Sequence, residues 1–311
     1  MKYDLKLTDV RKSFLAKTAA SAGLYGIFRI LVSYIGYQNP YVCVIKTIGI
    51  CNLKCRHCAW LEKTQPELET EILKQKIDEA YLLGCESVIF EGGEPTLRKD
   101  LGDLIKYAKN KKMNTIVITN GLNDFSQYSP DAFWVSIEGD RENNDKIRGA
   151  GVFERAKANI EKCKNKRIII LMTISKENFQ DVKKMPELFS NNLIWYNFLY
   201  PYQNTRTSAL DNIEIMKTAE EIKKMKKIFF NIINTDLYLS NAGKKVNCNR
   251  WWTYTVDFNG TSNIGCTAEQ LEKCDCGKCF LACYAEPYYL LRCNPESFVF
   301  LKKISGRKKI L

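Results

Sequence analysis

The feature that most constrains the fold is an alternation of short β-rich runs with segments of helical spacing. The predicted strands are 41–47, 87–91, 114–119, 133–137, 168–174 and 194–199, and the predicted helices are 69–84, 98–112, 151–165, 181–190 and 217–233. Strand and helix repeated in this order imply a parallel sheet with right-handed crossovers. The pattern favours an α/β fold with an incomplete (β/α)6 TIM-like barrel, although pattern alone does not separate it from an open doubly wound sheet.

The alternation ends near residue 240, where the composition changes. Seven of the 13 cysteines lie between Cys248 and Cys293, and Asn259-Gly260 is a turn signal. We therefore place a domain boundary near 238–246. The predicted parts are an N-terminal apolar helical segment (1–40), a core barrel (41–238) and a cysteine-rich domain with a basic tail (239–311).

The run from Phe14 to Tyr37 is apolar but is interrupted by Lys17 and Arg29. A spanning helix needs about 20 consecutive apolar residues, so this run is not expected to cross a membrane. Two interpretations remain open. The helix either lies on a membrane surface or over an apolar site, or it packs on the core.

The chain is basic, with 47 Lys and Arg against 35 Asp and Glu and a formal net charge of +12. Part of the excess is a C-terminal cluster, which suits an anionic membrane surface or a simple solvated tail, and no nucleic-acid partner is expected. The odd cysteine count and the lack of an export signal at the N-terminus predict metal ligation in the cytoplasm, with peripheral membrane association as a further expectation.

Three cysteines follow the first predicted strand in the order Cys51-Asn-Leu-Lys-Cys55-Arg-His-Cys58. Thiolates at this spacing can hold one metal cluster from a single loop. Zinc usually takes four protein ligands at structural sites, and no fourth donor is adjacent here. The spacing therefore favours a four-iron, four-sulfide (4Fe-4S) cluster with one iron left open, which suggests catalysis.

This C-x-x-x-C-x-x-C motif resembles the signature of the radical S-adenosylmethionine (radical SAM) enzymes, and Glu91-Gly92-Gly93-Glu94-Pro95 after the second strand looks like their GGEP motif. The resemblance implies that the open iron binds S-adenosylmethionine. One electron, from a flavodoxin- or ferredoxin-like donor, then cleaves the C5′–S bond and releases a 5′-deoxyadenosyl radical. Cys51, Cys55 and Cys58 are the predicted catalytic residues.

The resemblance also implies a set of cofactor-binding residues at strand ends. The glycines bring backbone carbonyls close to the methionine ammonium, Glu94 adds negative charge, and the only histidine takes the position of an adenine contact. Several of these positions are equally typical of loop or cap residues. The predicted set is His57, Gly92, Gly93, Glu94, Pro95, Ser136, Glu138, Thr173 and Asn178.

The second cysteine group is predicted to hold an auxiliary iron–sulfur cluster, with structural zinc as the alternative. It resembles the SPASM region of peptide-modifying radical enzymes and, more closely in spacing, the C-terminal region of the adenosylhopane synthase group. The predicted ligands are Cys248, Cys266, Cys276, Cys279 and Cys283, while the participation of Cys274 and Cys293 is left open.

Three functions follow as hypotheses. The first is a radical SAM enzyme that modifies an apolar substrate, a lipid or an isoprenoid, and that associates with a membrane surface. The second is a radical SAM peptide maturase. The third is a non-catalytic iron–sulfur or zinc protein.

Overall fold

One sheet of eight strands organises the computed structural model, which describes residues 39–60, 67–163, 166–244, 248, 250–270, 279–283 and 285–286. The spatial order is β6-β5-β4-β3-β2-β1-β7-β8, and every neighbouring pair is parallel except β7 with β8. The strands are β1 Val42–Ile48, β2 Ser87–Gly92, β3 Asn114–Thr119, β4 Ala132–Ser136, β5 Ile168–Ile174, β6 Leu193–Phe198, β7 Thr253–Val256 and β8 Ser262–Ile264.

Residues 120–131 join β3 to β4 without a helix. Helices connect the other parallel strands, as the sequence pattern predicts. They are α1 Thr70–Leu82, α2 Leu101–Asn110, α3 Arg141–Arg148, α4 Val152–Lys162, α5 Met185–Leu188, α6 Asn212–Met225 and α7 Asp236–Asn241. The sheet is open and its first six strands follow sequence order, so the prediction of an incomplete barrel is confirmed. Among the described residues, no helix has the length and apolar character needed to cross a bilayer.

Two of the predicted helices differ from the observed ones. The predicted helix 217–233 begins earlier, because Asp211 and Glu214 form a capping box at the start of α6, and it ends at Met225. The predicted helix 181–190 is replaced by a 3₁₀ helix, Phe179–Lys183, followed by the short α5. Pro186 lies in the first turn of α5, where its missing N–H is tolerated.

Successive residues of β1 face opposite sides of the sheet. Cys43 and Ile45 are fully buried in the main core, which also contains Leu73 and Ile77 of α1. Because side chains alternate along a strand, Lys46 points to the opposite face, the inner face of the incomplete barrel.

The sheet continues beyond the predicted boundary at 238–246. Val42 of β1 lies opposite Thr253 of β7, and the parallel pairing runs to Ile45 and Val256. Residues on both sides of the boundary therefore share one sheet. The division into three parts stays a prediction, because the Phe14–Tyr37 segment, the basic tail, Cys274, Cys276 and Cys293 lie outside the described residues.

A buried glutamate attaches the C-terminal cysteine region to the barrel. Glu286 has no exposed surface, and its carboxylate accepts hydrogen bonds from the Thr235 backbone N–H at 3.0 Å and from Thr235 Oγ1 at 2.6 Å. The Tyr238 hydroxyl donates to the carbonyl of Phe280 at 2.7 Å. These contacts fix the 280–286 segment against α7.

We expect Glu286 to make stability depend on pH. Burial raises its pKa from 4.5 to about 8, so between these values the folded chain keeps a proton that the unfolded chain has lost. Stability should therefore fall as pH rises through this window, at a slope of up to roughly 1.4 kcal/mol per pH unit. Urea unfolding of Glu286→Gln should show a flatter pH profile, whereas the exposed Glu220→Gln should keep the original slope. Equal slopes in both variants would contradict this assignment.

Candidate active site

The loop that carries the first three cysteines leaves the C-terminal end of β1. Cys55 is buried, Cys58 is partly buried and Cys51 is exposed. The backbone N–H of Cys58 donates to the carbonyl of Cys55 at 3.1 Å, and that of Arg56 donates to the carbonyl of Ile147 in α3 at 3.0 Å. The loop is therefore held against the last turn of α3.

The chemistry of these thiols fits an iron–sulfur cluster. Burial raises the pKa of Cys55 to about 11, and partial desolvation of the Cys51 thiol raises its pKa as well, so both thiols need a metal to stay deprotonated at neutral pH. Within the part of the chain that the structure describes, no three His, Cys, Asp or Glu side chains converge on a single ion. A four-iron cluster binds each thiolate through a different iron, so it suits thiols that are spread along a loop.

The Gly-Gly turn after β2 lies directly against the cysteine loop. The N–H of Gly93 donates to the carbonyl of Ile48 at 2.7 Å, and the N–H of Glu94 donates to the carbonyl of Ile50 at 2.9 Å. A Cβ atom added at Gly93 would lie 2.1 Å from the Ile50 oxygen. The two motifs are therefore in backbone contact, next to Cys51. The predicted role of the glycine carbonyls toward the methionine ammonium stays a prediction.

Glu94 connects this turn to the end of β3. Its buried carboxylate accepts hydrogen bonds from the N–H and Oγ1 of Thr96, from Thr119 Oγ1 and from the Asn120 N–H, at 2.6–3.1 Å. Burial raises its pKa. The Asn120 side chain in turn donates to Asn52 Oδ1 at 2.7 Å and lies 3.9 Å from Cys51 Sγ. Glu94 thus positions the cysteine loop.

Pro95 has a local role in the same turn. It begins the short 3₁₀ helix Pro95–Leu97, for which Glu94 is the N-cap residue. A proline suits this first position because its missing N–H has no helical partner there. The geometry therefore accounts for Pro95 as a turn residue, and its predicted contact with the cofactor is untested.

A buried ion pair links the cysteine loop to β4 and β5. Glu138 has no exposed surface, and its Oε1 accepts a hydrogen bond from an Arg148 guanidinium nitrogen at 2.5 Å. Its Oε2 accepts from the Thr173 N–H at 2.8 Å, and His57 Nε2 lies 3.5 Å from Oε1. Burial lowers the pKa of His57, which keeps the ring neutral at neutral pH. The guanidinium of Arg148 also acts electrostatically on Cys55.

The remaining predicted residues surround this pair. Asn178 is buried and donates to the carbonyls of Glu138 and Thr173, both at 2.9 Å, while its Oδ1 accepts from the Ser175 N–H at 2.7 Å. These bonds match the loop-cap alternative for Asn178. Ser136, the last residue of β4, is partly exposed. Contacts of these residues with S-adenosylmethionine stay predictions.

Arg148 is the main residue of this site that the sequence prediction missed. It lies in α3, which contains a single buried apolar residue, Ile147, and so has no apolar periodicity. The sequence signal for α3 is its N-cap residue, Asp140. In the structure, the Asp140 carboxylate accepts a hydrogen bond from the Asn143 N–H at 3.1 Å.

Removing Arg148 should destabilise the fold strongly. An Arg148→Met variant leaves the Glu138 carboxylate buried without its cation, which costs about 3–5 kcal/mol. Arg141→Met, in the first turn of the same helix, is the matched control, since the Arg141 side chain is 72% exposed. Urea unfolding measures both variants. Equal losses would show that the buried pair has no special role.

Only four of the seven C-terminal cysteines lie within the described residues. Cys266 is buried, Cys248 and Cys279 are partly buried, and Cys283 is exposed. Cys248 packs against the small buried cluster that contains Cys266. Since Cys276 lies outside the described residues, the auxiliary ligand set stays a prediction.

Comparison with known proteins adds to this geometry. The Radical SAM superfamily model matches residues 45–189. The chain is 34% identical over 167 residues to Fe-coproporphyrin III synthase of Methanosarcina barkeri, covering 48% of the chain and 42% of that protein. It is 31% identical over 140 residues to the mycofactocin maturase MftC of Mycolicibacterium smegmatis, covering 42% of the chain and 36% of that protein. The chain thus spans less than half the length of these two relatives.

A solved structure shares the fold over most of the chain. Streptococcus suis SuiB bound to the precursor peptide SuiA superposes with a TM-score of 0.62 at 16% identity, covering 86% of this chain and 70% of that one. At this identity the likeness concerns the fold alone.

Proposed function

We propose that this chain, which matches the Radical SAM superfamily model over residues 45–189, is a radical SAM enzyme that cleaves S-adenosylmethionine reductively and abstracts a hydrogen atom from a peptide substrate. The observation that carries the proposal is the backbone contact between Gly93 and the loop of Cys51. This contact brings the two motifs of the family to one point at the C-terminal end of a parallel sheet, where such folds keep their sites.

Cys51, Cys55 and Cys58 would hold a 4Fe-4S cluster in this arrangement. When bound, that cluster supplies the electron that splits S-adenosylmethionine into methionine and a 5′-deoxyadenosyl radical. The residues around it fix its loop. Asn120 holds Asn52, next to Cys51, and Arg148 places a positive charge, paired with Glu138, beside Cys55.

The relatives support a peptide substrate. One is named as a maturase, and the SuiB structure, which is similar to this chain in fold alone, contains a precursor peptide. A tetrapyrrole is the second candidate, because the match to Fe-coproporphyrin III synthase covers 48% of the chain at 34% identity. These relatives give no support to a lipid or isoprenoid substrate. That substrate, the electron donor and the membrane association stay predictions.

An isotope-transfer assay distinguishes these substrate classes. The protein is reconstituted anaerobically with iron and sulfide, reduced with dithionite and mixed with S-adenosylmethionine. Peptide, lipid and tetrapyrrole fractions from cells grown in deuterated medium are then added separately. Deuterium should appear in 5′-deoxyadenosine with the peptide fraction, because the radical takes a hydrogen atom from its substrate.

The assay distinguishes a wrong substrate class from a wrong reaction. Deuterium transfer from only the lipid or only the tetrapyrrole fraction would replace the proposed substrate class and keep the radical reaction. Absence of 5′-deoxyadenosine from the reconstituted protein would overturn the proposed reaction itself. The Cys51→Ala/Cys55→Ala/Cys58→Ala variant is the control, and it should form none.

A further inference from the structure

A lysine and a glutamate form an ion pair on the inner face of the barrel. Lys46 Nζ lies 2.5 Å from Glu91 Oε1, and the two residues lie side by side on β1 and β2. Only 6% of the Lys46 side chain and 21% of the Glu91 side chain are exposed. The pair is separate from the main core, because the alternation of β1 turns Cys43 and Ile45, but not Lys46, toward α1.

An aromatic ring covers this pair from the cysteine loop. Lys46 Nζ lies 4.0 Å from the ring centroid of Trp60, which follows Cys58 by two residues. The Trp60 ring packs edge-on against Phe258 at 5.6 Å between centroids. A cation that is held between a carboxylate and an indole face has a fixed position.

Stabilisation of the fold does not explain why this ion pair is buried. Taking two charges out of water costs several kcal/mol per ion, and well-packed apolar residues often serve as well or better. Lys46 has three N–H donors, and Glu91 is the one hydrogen-bond acceptor that it meets among the described residues. A preorganised ammonium with donors to spare is suited to a carboxylate.

Position and charge point to the substrate as the source of that carboxylate. Lys46 lies near the C-terminal end of β1, two residues before Ile48, whose carbonyl accepts from the Gly93 N–H at 2.7 Å. The net charge of +12 also favours the approach of acidic molecules.

We propose that Lys46, held by Glu91 and Trp60, binds a carboxylate of the substrate inside the barrel. This inference rests on the proposed function, since it assumes a peptide, which can offer a C-terminal, aspartate or glutamate carboxylate. Lys46 is then a specificity-determining residue. It selects substrates that place an acidic group at a set distance from the reacting C–H bond.

The test combines a variant with a chemical change in the substrate. The deuterated peptide fraction is used either native or after methyl esterification of its carboxylates. With the wild type, esterification should lower deuterium transfer to 5′-deoxyadenosine by about tenfold or more, as expected for loss of a charge-assisted contact. Lys46→Met should raise the half-saturating concentration of the native fraction by a similar factor. Esterification should then have little further effect, because the same contact is already lost.

Two variants serve as controls. Lys46→Arg keeps the charge and should recover part of the discrimination between native and esterified peptides. Lys76→Met removes another ion-paired lysine, whose side chain is 18% exposed and which lies on α1, 2.9 Å from Glu79. Lys76→Met should discriminate like the wild type.

Each result has one meaning. If the wild type transfers deuterium equally from native and esterified peptides, or if Lys46→Met still discriminates between them, the role of Lys46 is overturned and the proposed function stands. If the wild type transfers no deuterium from the native peptides, the peptide function fails, and the inference fails with it.

Discussion

A Cys58→Ala variant is expected to lose the iron of the cluster on Cys51, Cys55 and Cys58, to keep any iron bound by the C-terminal cysteines, and to form no detectable 5′-deoxyadenosine. Losing even an outer partner of a metal ligand costs about 10–100-fold in metal affinity or activity, and losing one of three thiolate ligands should cost more. All three thiolate ligands come from one loop. The proposed ligand set therefore contains no residue from another segment that could replace Cys58. Iron content after anaerobic reconstitution and product formation by chromatography are the two measurements.

Cys163→Ala is the matched control for this prediction. Cys163 is 2% exposed and lies in the main core, at the C-terminal end of α4. Its loss should lower stability modestly and leave the iron content and the product unchanged. If Cys58→Ala retained both, the assignment of the trio would be wrong. If Cys163→Ala lost both, general destabilisation would be the explanation.

Gly93→Ala should be the most damaging single-methyl change in the described structure. The new Cβ would lie 2.1 Å from the carbonyl oxygen and 2.5 Å from the carbonyl carbon of Ile50. Both are backbone atoms, so the whole loop that carries Cys51 must move. We expect a loss of about 3 kcal/mol, at the upper end for overpacking, together with reduced iron retention. Urea unfolding and iron analysis of the reconstituted variant measure these effects.

The same substitution in a helix gives the opposite expectation. Gly102 lies in α2, and a Cβ there would meet no atom closer than Tyr128 Cδ1 at 3.8 Å. Gly102→Ala should therefore stabilise the protein by about 0.5–1 kcal/mol, because it restricts the unfolded chain and suits a helix. Similar behaviour of the two alanine variants would show that the close approach at Gly93 is not a constraint.

The strands were predictable because their signal is local. Each of the six predicted strands agrees with an observed one to within one residue at either end. Runs such as Ile168–Ile174 are rich in β-branched and apolar residues, and turn or polar residues bound them. The helices predicted between the strands then implied that the strands run parallel to one another.

Helices without apolar periodicity were not predictable in this way. The segment Arg141–Arg148 buries Asn144 and Arg148 through hydrogen bonds and an ion pair, so its inner side is polar. Such a helix is recognised by its N-cap at Asp140, and hydrophobic periodicity cannot detect it.

In the candidate site, too, the local features were predictable from the sequence and the contacts between distant segments were not. The cysteine spacing and the Gly-Gly turn are short-range patterns, and both were read from the sequence. The bonds from Thr119 and Asn120 to Glu94 depend on how the turn after β2 lies beside the end of β3, which the sequence does not specify. Lys46 did carry a signal, since it is a charged residue directly after the apolar run Val42–Ile45 of the same strand.

The pairing of β1 with β7 has a consequence for biosynthesis. Val42 and Thr253 are partners, so about 210 residues must be translated before this side of β1 is covered. At ribosomal rates of roughly 5–20 residues per second, the wait is on the order of 10–40 s. During that interval β1 presents an open edge, which invites aggregation. Insertion of iron and sulfide should therefore be most productive once β7 has been translated and covers this edge, and chaperones that shield the edge until then should raise the yield of loaded protein.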